Sequence, residues 1–133
     1  MKYDENSYLF QSKNPQLFGK FLFPSSTTLG TTIETNRDYT FSSAPPVDQR
    51  ADSMKSIHLR KMVSIEPVAD FDLIPFVEMI KQIEPAFVSI GADSQGHNLP
   101  EPSKDKLLSL IHVFEEFTEV KVKDNLHRLM KGR

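Results

Sequence analysis

The stretch "RKMVSIEPVADFDLIPFVEMIKQIEPAFVSIGAD", Arg60 to Asp93, decides the fold. Its first part, "RKMVSIEP", is a short apolar run that stops at Pro67 and reads as a strand. Its last part, "PAFVSIGAD", is apolar without alternation, the pattern of a strand covered on both faces. Between them, "ADFDLIPFVEMIKQI" sets Leu73, Phe76, Val77, Ile80 and Ile83 at helical spacing. Asp72 stands where an N-cap belongs, and Pro75 falls in the first turn, where its missing N–H costs nothing. Strand, helix, strand is the unit of a parallel sheet with right-handed crossovers.

The same grammar extends both ways. Upstream, Tyr8–Gln11 reads as a strand and "PQLFGKFLF" as a short helix with Pro15 in its first turn. "TTLGTTIETN" (Thr27–Asn36) is a Thr-rich strand, "RDYTFSSAPP" a loop, and "VDQRADSMKSI" a helix with Val47, Ala51, Met54 and Ile57 on one face. Downstream, "SQGHNLPEP" is a loop. "SKDKLLSLIHVFEEF" is a helix capped by Ser103, with Leu107, Leu110, Ile111 and Phe114 on one face. "TEVKVKDN" alternates as a strand does, and "LHRLMKGR" is a terminal turn or a loosely ordered tail over 124–133. Phe71, Phe76, Phe87, Phe114 and Phe117 read as core aromatics.

The expectation is one α/β domain over 1–133: a partial (β/α) barrel of about five parallel strands alternating with helices. An open doubly wound parallel sheet is the alternative. Glu34 and Glu66 stand 32 residues apart, and Glu66 and Asp93 27 apart. A (β/α) barrel averages about 30 residues per unit.

Successive strands end in related phrases: "TIET" at Thr32–Thr35, "SIEP" at Ser64–Pro67 and "SIGAD" at Ser89–Asp93. Parallel strands send their C-terminal ends to one side, where ligand groups collect. Gln11, Ser12, Lys13, Glu34, Asn36, Glu66, Asp93, Lys121 and Lys123 therefore belong on one rim, with the acids at least partly accessible. His97, in the loop after a strand end, is within reach of it. The competing reading is that these acids cap the next helix or pair with a lysine, and "ADSQG" also reads as a turn.

Composition narrows the classes. The chain of 133 residues carries a formal net charge of −2, which indicates neither a nucleic-acid nor a membrane partner. It has no cysteine, so disulfides, Cys-ligated zinc and iron–sulfur ligation by this chain are excluded. His58, His97, His112 and His127 show no metal-ligand spacing. There is no phosphate loop and no nucleophile elbow. With no signal-type segment after Met1 and no long apolar stretch, the expected location is cytoplasmic.

The run "MVSIEPVADFDLIPFVEMIKQIEPAFVSIGADSQGHNLPEPSKDKLLSLI", with "FQSKNP" and "LGTTIETNRDY", resembles the C-terminal part of radical S-adenosylmethionine proteins, over about Ser7 to Leu129. In that superfamily the catalytic domain is a partial or full (β/α) barrel. A [4Fe–4S] cluster is held by three cysteines spaced CxxxCxxC, and S-adenosylmethionine lies across the strand ends. The resemblance implies S-adenosylmethionine as cofactor. It places Gln11, Ser12 and Lys13 at its ribose, Glu34 and Asn36 beside the methionyl and ribose groups, and Glu66 by the adenine or substrate. Asp93 and His97 fall on the substrate side. The cluster-bearing half is missing, so this chain does no radical chemistry alone. Its partner is either that missing N-terminal half or a second copy.

Two rivals stand beside this reading. One is a Mg-dependent barrel-type enzyme using Glu34, Glu66 and Asp93 as hard oxygen ligands. The other is a non-catalytic interaction module, because five strands leave open edges. In either partial-barrel case Ile33, Ile65, Val88 and Ile90 are expected to face inward and lack an opposite wall.

Overall fold

Strands joined by crossover connections must run the same way, and these do. The computed structural model describes residues 6–39 and 43–131. Residues 40–42 of the expected loop and 132–133 of the tail lie outside the described residues. Five strands, β1 (Tyr8–Gln11), β2 (Thr27–Thr32), β3 (Arg60–Ile65), β4 (Phe87–Ile90) and β5 (Glu119–Val122), form one all-parallel sheet. The spatial order is β1-β2-β3-β4-β5. It never reverses, so it lacks the switch point that defines a doubly wound sheet.

The connections are α1 (Val47–Lys55), α2 (Leu73–Ile83) and α3 (Lys104–Glu115). Between β1 and β2, Pro15–Lys20 forms only a 3-10 turn. Gly19 in that short segment and Pro24 soon after it disfavour an α-helix. Asp72 occupies the N-cap of α2, yet its carboxylate makes no cap bond. It takes Arg37 instead, at 2.9 Å. Ser103 does cap α3, its hydroxyl accepting from the Lys106 amide at 3.2 Å. After β5 a 3-10 turn (Asp124–Leu126) leads into a short helix, α4 (His127–Met130). Leu126 is fully buried, and Leu129 and Met130 pack on the core.

One core joins Ala51 and Met54 of α1, Phe76, Val77, Ile80 and Ile83 of α2, and Leu107, Leu110 and Phe114 of α3. Its sheet side is Val63, Ile65, Val88 and Ile90, with Ile33 just past β2. This corrects the expectation that Ile33, Ile65, Val88 and Ile90 face an open interior. They are fully buried beneath the helices. Strand pleating then turns their neighbours to the other face, which carries Leu9, Gln11, Thr28, Gly30, Met62, Ser64, Phe87, Ser89 and Lys121. The face without helices is therefore largely polar.

Phe87 is buried, as a core aromatic should be, but it lies on the opposite face of the sheet from the cluster under the helices. The Arg60 guanidinium lies 5.2 Å and the Lys121 ammonium 4.0 Å from its ring centroid. Two cations over one ring help to cover it. Met62 is shielded in a related way: its thioether lies against Gly30, in the space a β-carbon there would need. Glycine at that strand position makes room for the side chain across the pleat.

Candidate functional site

The C-terminal strand ends carry three charged clusters. Glu34, directly after Ile33, is almost fully buried. Arg50 of α1 reaches back to it at 3.1 Å and also donates to the carbonyls of Thr32, at 2.8 Å, and Pro45, at 2.7 Å. Lys13, past the end of β1, approaches the other carboxylate oxygen at 3.5 Å. The expected accessibility of Glu34 is thus corrected: two cations close over it, and its side chain is 3% exposed.

Glu66 forms the second cluster. Lys123 donates to Oε1 at 2.6 Å and Asn125 to Oε2 at 2.8 Å. Burial alone would push this carboxyl up. The bonds from Lys123 and Asn125 outweigh it and hold the group below its usual value. The Glu66–Pro67 peptide is cis.

Asp93 forms the third. It accepts from the Gln95 amide at 3.0 Å and the His97 amide at 2.6 Å, and lies 2.8 Å from His97 Nδ1. The Gln95 amide leads in holding its carboxyl below the usual value. Burial opposes, and the His97 ring and amide add to the lowering.

Two neighbouring cavities join these clusters. Lys13, Glu34, Pro67, His97 and Leu99 line one of about 350 Å³. Glu66, Pro67, Ala92, Asp93 and His97 are among the residues lining one of about 330 Å³. Lys13, Glu34, Glu66, Asp93 and His97 therefore come together as the strand-end argument requires. Other expected residues do not reach these cavities. Gln11 lies on the bare sheet face beside Gly30. Ser12 extends the pairing of β1 by donating its amide to the Gly30 carbonyl at 3.0 Å, and its hydroxyl accepts from the Asn14 amide. Asn36 accepts from the Asp72 amide at 2.8 Å and so belongs to the start of α2. Lys121 sits a pleat below, over Phe87.

Sequence reading missed Arg50 and Asn125. Arg50 looks like an ordinary polar position in an amphipathic helix, and nothing local marks it as a partner for an acid 16 positions earlier. Asn125 lies beyond the last strand, 59 positions from Glu66.

The carboxylates also bear on a metal. Each already has its own cation or amide donors, and among the described residues no group of three or more His, Asp or Glu is gathered to hold a metal ion. No helix among the described residues is long and apolar enough to cross a membrane. Comparison with family models, with curated proteins and with solved structures finds no match to this chain.

Proposed function

We propose that the five strands are a segment of a (β/α) barrel whose C-terminal ends supply part of a binding site for S-adenosylmethionine and the substrate beside it. The observation that carries the reading is the cavity of about 350 Å³ lined by Lys13, Glu34, Pro67, His97 and Leu99. These residues follow four consecutive strands. Its volume is at the low end of small-molecule sites, which run roughly 300–1,000 Å³, so it suits part of a nucleoside ligand.

The polar groups fit such a ligand in kind. The Lys13 ammonium, 45% exposed, meets a carboxylate, while Glu34, closed over by Arg50 and Lys13, holds that ammonium in place. Bound S-adenosylmethionine would supply an activated sulfonium for bond cleavage. An iron–sulfur cluster does not fit, because the chain offers no cysteine. Its role is accordingly to bind and orient, in concert with strands from elsewhere.

The edges support a partner. Among the described residues β1 and β5 each pair on one side only. Leu9, Phe10, Leu17, Phe21 and Leu22, all exposed, lie on or just after β1. Preceding strands of a barrel would add there, whether from a separate N-terminal half or from a second copy.

Titration calorimetry with S-adenosylmethionine, together with amide NMR, tests the site. Binding should shift amides at Lys13, Glu34, Val68 and His97, and Lys13→Ala should weaken it. Shifts confined to other regions, or none at millimolar ligand, would overturn the reading.

A further inference from the structure

We propose that His97 is an acid–base group of this site, held by Asp93 so that its Nε2 faces the ligand; the proposal rests on the strand-end cavities being the place where ligand binds. The Asp93 side chain is only 8% exposed, whereas that of His97 is 57% exposed. The buried carboxylate is saturated by its own loop: two amides and the His97 ring. Its lowered pKa keeps it ionised at neutral pH. An ionised carboxylate only accepts, so Nδ1 carries the proton of the neutral ring. Nε2 is then the lone-pair nitrogen, and it has no partner among the described residues.

The loop is built to hold that orientation. Gly96 (φ +68) and Asn98 (φ +55) turn the chain through the left-handed region on either side of His97. From α4, Arg128 donates to the Asp93 carbonyl at 3.2 Å and grips both oxygens of Glu101, at 3.0 and 2.6 Å. The ring so placed lines both cavities, with Lys13 and Glu34 in one and Glu66 in the other. His58, His112 and His127 are also exposed, but among the described residues only His97 pairs with a carboxylate.

A base oriented through its far nitrogen by a carboxylate is the arrangement that proton transfer needs. A proton leaves a ligand hydroxyl, or a carbon next to a carbonyl, and bonds to Nε2. The ligand oxygen keeps the electron pair beside the Lys13 ammonium, and the imidazolium faces Asp93. The reverse transfer restores both. The ligand class is therefore a small hydroxyl- or carbonyl-bearing compound.

Two readouts on the full chain test this. Proton–nitrogen correlation spectra should show His97 as the Nδ1–H tautomer, and Asp93→Asn should shift it toward Nε2–H. Diethyl pyrocarbonate, whose carbonyl carbon bonds to Nε2 as ethyl carbonate leaves, should acylate His97 several-fold faster than His58, His112 or His127 by mass spectrometry. In Asp93→Asn that rate should fall to theirs, and His97→Gln should remove the fast site with the circular dichroism spectrum unchanged. A native Nε2–H tautomer, or a His97 no faster than the other histidines, would overturn the proposal. Neither readout uses S-adenosylmethionine, so failure to bind that ligand is told apart from failure of the histidine.

Discussion

Glu66 and Asn125 meet over Gly91. The Asn125 amide nitrogen donates to Glu66 Oε2 at 2.8 Å, while its Oδ1 accepts from the Ala92 amide at 3.0 Å. One side chain from the C-terminal segment thus ties the ends of β3 and β4 together. A β-carbon on Gly91 would lie 2.5 Å from Glu66 Oε2 and 2.9 Å from Asn125 Oδ1.

Gly91→Ala should therefore destabilise the fold and disturb the rim together. Lys123 and Asn125 pin the Glu66 carboxylate, so it has no cheap way to give. Overpacking of this kind costs about 1–3 kcal/mol. A melting temperature within a degree of the parent would show that the junction yields more freely than its hydrogen bonds suggest.

The Glu34–Arg50 pair is the test of buried charge. Removing one partner strands the other without water, at a cost of about 3–5 kcal/mol. Arg50→Met and Glu34→Leu should each be strongly destabilising by urea denaturation, and the double variant should cost far less than their sum. Additive losses would mean that the two groups do not act as a pair.

Acid should loosen the strand ends. Glu66 and Asp70 both titrate below their usual values. In Asp70 burial works upward, and the bond from Lys106 at 2.7 Å, with the Phe71 amide, overcomes it. A carboxyl depressed on folding contributes stability above its unfolded pKa, here near the usual 4.5 and 3.8. That contribution is lost as pH falls through the lower folded values. Stability should thus decline from about pH 5 downward, and Glu66→Gln should flatten part of the decline. An unchanged acid limb in Glu66→Gln would exclude Glu66 as a source of it.

Association should run through the β1 edge rather than the bare sheet face, because that face is largely polar and most of the exposed large apolar side chains, Leu9, Phe10, Leu17, Phe21 and Leu22, lie on or after β1, with Ile74, Leu108 and Val122 elsewhere. Sedimentation across a wide concentration range should show weak self-association. Leu22→Asp should abolish it while leaving the melt unchanged. A concentration-independent monomer would remove self-association and leave only a separate half as partner.

How much of this was legible in the sequence depends on the range of the interaction. The strand at Tyr8–Gln11, the stripe of α2 and the Ser103 cap of α3 were all readable, because periodicity and capping act over a few residues. Parallel connection then put Lys13, Glu34, Glu66, Asp93 and His97 at one end of the sheet. A crossover connection returns the chain to the same end of the sheet each time, so it allows little else.

What only the tertiary structure decided is which face is covered and which charges meet. An apolar strand such as "FVSI" gives no sign of which side its helices take, so Ile33, Ile65, Val88 and Ile90 read as equally fit for either face. With every crossover helix on one side, the core formed there, and the other face was left to Thr, Ser, Gly and cation-shielded Phe87. Likewise "TIET" announces an acid at a strand end but not the arginine that buries it. Pairing across 16 or 59 positions is set by where helices and the C-terminal segment pack, and no local pattern carries that information.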